Sequence, residues 1–201
     1  MNRLSFILGL GLGVGLLAGS AVAQEHEHSA HGTAHATSDS GLVVPSSIQE
    51  EHEHLHHQLD DAMKSGGKTA EAAKQVAAVL GPHFEEEEAY AMPPLWLLEA
   101  IAQNQPISDQ QAQQAIQMAD KLRANYPQML KEHEQIQEAL RNLAAAASAE
   151  NKPDAAAFAE ALMAHAANEE QVLYPTTLLI GEYLKLRQGH MPADHGTHEG
   201  H

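Results

Sequence analysis

Residues 162–175, LMAHAANEEQVLYP, and residues 80–93, LGPHFEEEEAYAMP, are two versions of one pattern. Each places a Leu three residues before a His, a Glu pair four and five residues after it, and a Pro ten after it. His83, Glu87, Glu88 and Pro93 thus answer to His165, Glu169, Glu170 and Pro175. A second pair of copies lies upstream. Glu51-His52-Glu53 is followed by Leu55 and Leu59, and Glu132-His133-Glu134 by Ile136 and Leu140. His52 stands 31 residues before His83, and His133 stands 32 before His165. The chain therefore reads as one helical hairpin written twice, with a His on the first helix of each copy and His-x-x-x-Glu on the second.

From residue 46 to residue 187 helix signals dominate and strand signals are nearly absent. Ser46 and Ser47, three before Gln49 and Glu50, predict a capping box that opens the first helix, and Gly66-Gly67 ends it. With His52 at zero and about 100° per residue, Ile48, Leu55, His56, Leu59 and Met63 fall within about 60° of it, while His54 and His57 point elsewhere. The second helix is expected from near Thr69 through Val76, Leu80, His83 and Glu87, kinked at Gly81-Pro82 and stopped by Met92-Pro93-Pro94. A short apolar helix over 95–103 carries the only Trp, Trp96. Ser108 with Gln111 caps a long third helix that reaches about Ala147 and bends near Pro127. Pro153 sits in the first turn of a fourth, which runs to about Leu186 and bends at Pro175. Four long amphipathic helices with short links and one crossover at 94–107 make an all-α fold, an antiparallel four-helix bundle running up-down-up-down.

The ends read differently. Residues 1–23 begin Met-Asn-Arg, run apolar from Leu4 to about Gly19 and close on Ala21-Val22-Ala23, the form of a secretory signal peptide cleaved after Ala23. An uncleaved anchor is the other reading, since 4–23 just reaches the ~20 residues a spanning helix needs. Cleavage predicts a periplasmic or secreted protein with no stable membrane insertion. The chain has no Cys, so neither a disulfide nor a lipid anchor is available and the exported domain is held by its core or by metal. Losing residues 1–23 removes Arg3 and no acid, leaving 10 basic and 27 acidic residues and a net charge of −17 with His neutral. Such a surface argues against nucleic acid and anionic membranes as partners. Residues 24–45 and 188–201 are polar and read as disordered tails, with His26, His28, His31 and His35 at one end and His190, His195, His198 and His201 at the other. Their imidazoles either do nothing or capture Zn, Cu or Ni loosely.

On each second helix the residue four after the His shares its face, so His83 with Glu87 and His165 with Glu169 present an imidazole beside a carboxylate. For a single copy, a surface ion pair is the ordinary explanation. Here both pairs fall in the apolar stripe, where a charged Glu is costly unless it is paired or ligates metal. Two copies in register, each with an in-phase His on the helix before, favour a metal site in the bundle core. Four His terminal and Glu87 and Glu169 bridging would enclose two cations, about 3.5–4 Å apart in such sites. Imidazole with carboxylate suits iron, with Zn and Mn possible. Glu88 and Glu170 point about 140° away from their His, toward solvent or the outer side of the site.

The series His, His-x-x-x-Glu, His, His-x-x-x-Glu over residues 46–187 resembles the hemerythrin family, in its bacterial hemerythrin-like HHE cation-binding branch. The resemblance implies an antiparallel four-helix bundle around a non-haem di-iron centre, two iron ions that bind O2 and related small ligands. Carried onto this sequence, the ligands are His52, His83, Glu87, His133, His165 and Glu169. Oxygen-carrying hemerythrins have a second His four after the third-helix His, where this chain has Gln137, and a fourth-helix Asp one residue beyond the position of Glu169. Both departures count against reversible O2 carriage. His56, four after His52, holds the position of Gln137 in the other repeat, so the pseudo-two-fold offers it as a fifth imidazole. A core-edge His bonded to backbone or carboxylate is the alternative.

A ferritin-like bundle needs Glu-x-x-His on two helices, and only the first helix has that spacing. A b-type haem held by His and Met would leave the repeated Glu unexplained, and nothing marks a nucleophile elbow, phosphate loop or triad. The sequence therefore predicts an exported di-iron protein that binds O2, NO or peroxide for buffering, sensing or scavenging. Two other readings remain open at this stage. One is a metal-storage protein working through its His-rich tails, with the bundle metal structural, and the other is a helical scaffold whose histidines are incidental.

Overall fold

The computed structural model describes residues 41–189. The expected signal peptide at 1–23, the His-rich segment from 24 to 40 and the tail from 190 to 201 lie outside the described residues. Among the described residues six α-helices follow in order: α1 (Ser46–Lys64), α2 (Gly67–Glu86), α3 (Leu98–Ala102), α4 (Asp109–Ala149), α5 (Pro153–Asn168) and α6 (Tyr174–Gly189). Two π-helical turns, Glu87–Ala91 and Glu169–Leu173, extend α2 and join α5 to α6, and a 3₁₀ turn spans Pro93–Leu97. With α5 and α6 counted as one helix, this is the antiparallel four-helix bundle. Among the described residues there is no strand, and no helix is long and apolar enough to cross a membrane.

Local chemistry sets most of the boundaries. Gly66, at φ +78°, reverses the chain between α1 and α2 in a backbone region that side chains disfavour. Glu150 accepts from the backbone N–H groups of Lys68 and Thr69 and from the Thr69 hydroxyl, so α4's end caps α2's start across the bundle. Ser108 and Gln111 form the expected reciprocal capping box. The box expected at Ser46 and Ser47 does not form: α1 begins directly after Pro45 with no side-chain cap. Leu42 and Val44, expected in the first tail, instead pack against the core.

Both π turns begin at the Glu four residues after the His and end two residues before a Pro. A Pro ring collides with the carbonyl four residues back and removes an N–H. At Pro93 and Pro175 those carbonyls belong to Ala89 and Gln171. Widening the preceding turn relieves the collision, and the N–H groups of Met92 and Tyr174 reach five residues back to Glu87 and Glu169.

The core is split. One apolar cluster, with Leu55, Val76, Leu80, Phe84, Leu140 and Leu162, fills the end where α1, α2, α4 and α5 meet. The other, with Tyr90, Met92, Leu122, Met129, Tyr174 and Ile180, fills the end where α4 and α6 pack with the connection. There α4 and α6 come so close that a Cβ at Gly181 would lie 2.5 Å from the Cβ of Ala119. Between the clusters lies one buried polar layer. In α1 it falls between Ile48 and Leu55, and in α4 between Met129 and Ile136. Its members are His52, His83, Glu87, His133, His165 and Glu169.

Candidate metal centre

Six predicted residues from different helices meet in this layer, none more than 4% exposed. Their donor atoms gather in two adjoining groups. The first is His83, Glu87, His133 and Glu169, and the second is His52, His165 and Glu169. In the first, His83 Nε2 lies 3.3 Å from Glu87 Oε1, and His133 Nε2 lies 3.4 Å from Glu169 Oε2. In the second, His165 Nε2 and His52 Nε2 lie 2.8 and 3.6 Å from Glu169 Oε1, and His52 Nε2 lies 3.9 Å from Glu87 Oε2. Each carboxylate therefore addresses both groups with different oxygens.

Three of the four outer nitrogens are hydrogen-bonded to a carboxylate, and the fourth has one beside it. Nδ1 of His52, His83 and His133 is hydrogen-bonded to Glu88, Glu132 and Glu170 at 3.2, 2.8 and 2.9 Å. Glu51 sits 3.0 Å from His165 Nδ1, off hydrogen-bond geometry. The pairing respects the repeat: Glu51 and Glu132 each precede a first-helix His and serve the second-helix His of the other copy. Glu88 and Glu170 serve the first-helix His of their own copy. A carboxylate only accepts, so these contacts put the proton on Nδ1 and leave the Nε2 lone pair facing inward, the arrangement metal-ligating histidines use. Gln128 in turn donates to Glu132 at 2.7 Å.

Electrostatics in the metal-free protein agree with crowded, paired donors. Burial disfavours the imidazolium of His83, but Glu87 and Glu132 outweigh it and hold the ring's pKa up to about 9. Burial is likewise outweighed at His165 by Glu169 and Glu51, again to about 9. Burial and the neighbouring charge of Glu169 raise Glu87. Glu169, despite its burial, is held well below the usual carboxylate range by His133, His165 and His52.

Donor chemistry provides the test of fit to a cation. Four buried atoms, Nε2 of His52 and His165, Oε2 of Glu87 and Oε1 of Glu169, have no hydrogen-bond partner in the protein. Atoms so placed are costly unless something else engages them, and nitrogen–oxygen sets of this kind suit divalent metal. A model of the hemerythrin HHE cation binding domain matches residues 45–177, well over half of the chain. The chain belongs to the hemerythrin family. No match is found among curated proteins or among solved structures. In this hemerythrin domain the layer is the cluster that fits cation binding.

His56 does not join the layer. Its side chain is exposed, and its ring meets the buried Phe84 edge-on at 5.1 Å while His52 stacks flat on the same Phe84 at 4.2 Å. The buried stripe of α1 also includes Ala62, about 80° to the opposite side of His52, so the stripe is centred away from His56. Exposed positions are likewise taken by His54 and His57.

One member was not anticipated. Tyr174, fully buried, donates its hydroxyl to Glu87 Oε1 and lies 3.4 and 3.3 Å from Nε2 of His83 and His133. Its ring stacks on His133 at 5.6 Å. Burial, together with the charges of Glu87 and Glu169, pushes its pKa upward, which keeps the phenol protonated.

Proposed function

We propose that this hemerythrin domain is an exported di-iron protein that binds O2, nitric oxide or peroxide in its core, as a buffer, sensor input or scavenger. The observation that carries the reading is the polar layer, where four inward Nε2 atoms and two carboxylates converge from all four helices of the bundle. His52, His83, His133 and His165 would be terminal ligands, and Glu87 and Glu169, each facing both groups, would bridge. Two iron ions supply Lewis-acid and redox chemistry toward a small ligand when bound. The donor set also accommodates Zn or Mn.

The chain's own work is positional. Glu88, Glu132 and Glu170 hold three of the imidazoles in one orientation, and the apolar clusters above and below keep bulk water from the layer. Export rests on residues 1–23, whose pattern is that of a cleaved signal peptide.

Metal analysis and absorption spectroscopy test the reading on protein reduced without oxygen and then exposed to air and azide. About two irons per chain, with bands that respond to both and disappear in His83→Ala and Glu169→Ala, is the expected result. A single zinc or no bound metal, without such bands, overturns it and turns attention to the tail imidazoles.

A further inference from the structure

We infer that the two halves of the polar layer take up cations in order, the His52 half before the His83 half, and that the Tyr174 hydroxyl sets that order. The inference rests on the cation-binding reading above and deepens it.

The halves differ in what already engages their donor atoms. In the His52 half, all four inward atoms lack a hydrogen-bond partner: Nε2 of His52 and His165, Oε2 of Glu87 and Oε1 of Glu169. A cation arriving there satisfies these buried atoms and parts the 2.8 Å ion-pair contact of His165 Nε2 with Glu169 Oε1, but it displaces no hydrogen bond in good geometry. The stacked Phe84 ring, parallel to His52 within 5°, also fixes that imidazole beforehand.

In the His83 half the phenol stands among the donors. Its O–H is given to Glu87 Oε1, and its oxygen lies within 3.4 Å of Nε2 of both His83 and His133. A cation there must take Glu87 Oε1 away from a charge-assisted hydrogen bond, leaving a buried hydroxyl to find another acceptor. The repeat makes the contrast sharp. The residue nine after His83, where Tyr174 stands nine after His165, is Met92, equally buried but with no hydroxyl to give. Tyr174 is thus the group that breaks the pseudo-two-fold of the site. It acts as a positioning residue, through Glu87.

The net worth of a hydrogen bond to a charged acceptor corresponds to a separation of roughly 10- to 150-fold between the two affinities. Calorimetric titration of the metal-free chain with Co2+, followed in parallel by visible absorption, reads this directly. Wild type is expected to show two steps so separated, with His52→Ala removing the tight step and His83→Ala the weak one. These two substitutions also distinguish the layer from the chain's other imidazoles. Tyr174→Phe keeps the ring on His133 and removes only the hydroxyl, so it should draw the weak step toward the tight one without moving the tight one. Two equal steps in wild type, or a gap that Tyr174→Phe leaves unchanged, would overturn the inference while leaving the cation reading intact. No Co2+ uptake sensitive to either His substitution would overturn the cation reading itself, and the inference with it.

Discussion

Nδ1 of His83, on α2, lies 2.8 Å from a carboxylate oxygen of Glu132, the α4 residue that immediately precedes His133. The residue that orients one imidazole thus sits next in sequence to another. Each first-helix Glu-His pair in effect serves two helices at once.

Replacing Glu132 by Ala removes that acceptor and frees the His83 ring to turn. Metal affinity in competition with a chelator should fall by about 10- to 100-fold. Glu132→Gln, whose amide oxygen still accepts from Nδ1, should lose less. Equal affinities for Glu132→Ala and wild type would show that the outer acids do not orient the ligands.

His56→Ala should leave metal content and the ligand-binding spectrum unchanged, because that side chain is exposed and lies outside both donor groups. A loss of bound metal in this variant would require the α1 stripe to turn from its present orientation.

Stability of the metal-free protein should fall as pH rises past the neutral range. Burial at His83 and His165 is outweighed by Glu87 and Glu169 respectively, together with the outer acids, and both rings are held up to about 9 against an ordinary 6.5. Groups raised on folding contribute fully below 6.5 and lose that contribution as pH climbs through 9. His52 and Glu87, also raised, act with the same sign. Bound metal needs unprotonated Nε2 atoms, so its affinity should rise over the same window. Thermal melting with and without Zn2+ from pH 6.5 to 9 checks both. A flat profile for the metal-free protein would contradict the account.

Thr177 is fully buried and donates to the Ala91 carbonyl at 2.6 Å, tying α6 to the π turn that extends α2. Thr177→Val keeps the shape and strands the carbonyl, which should destabilise by about 1–3 kcal/mol in denaturant unfolding. Metal stoichiometry should be unaffected.

The bundle was legible in the sequence because its signals are local and repeated. The Ser108 box, Gly66 and Pro153 mark ends, and the apolar stripes interrupted by His52, His83, His133 and His165 mark faces. Periodicity failed where the helix is not regular. Tyr174 lies nine residues after His165, and about 100° per residue puts it on the far side of a regular helix. The extra residue in the π turn rotates it back to the core. Pro175, in register with Pro93, was the available sign of that irregularity, since a Pro there obliges the preceding turn to change. His56 failed for a different reason. Measuring angles from His52 alone placed it near the centre of a stripe whose true centre is set by Ile48, Leu55, Leu59 and Ala62.

The division of the apolar core into two clusters around a single polar layer separates how tightly an ion is held from how fast it leaves. Leu80, Phe84 and Leu162 lie on one side of the layer and Tyr90, Met92 and Met129 on the other. A chelator in solution therefore cannot reach the donors while the helices stay packed. Release then proceeds at the frequency with which the bundle opens locally, whatever the chelator's concentration or strength. Retention in such a protein is a property of its breathing as much as of its ligands.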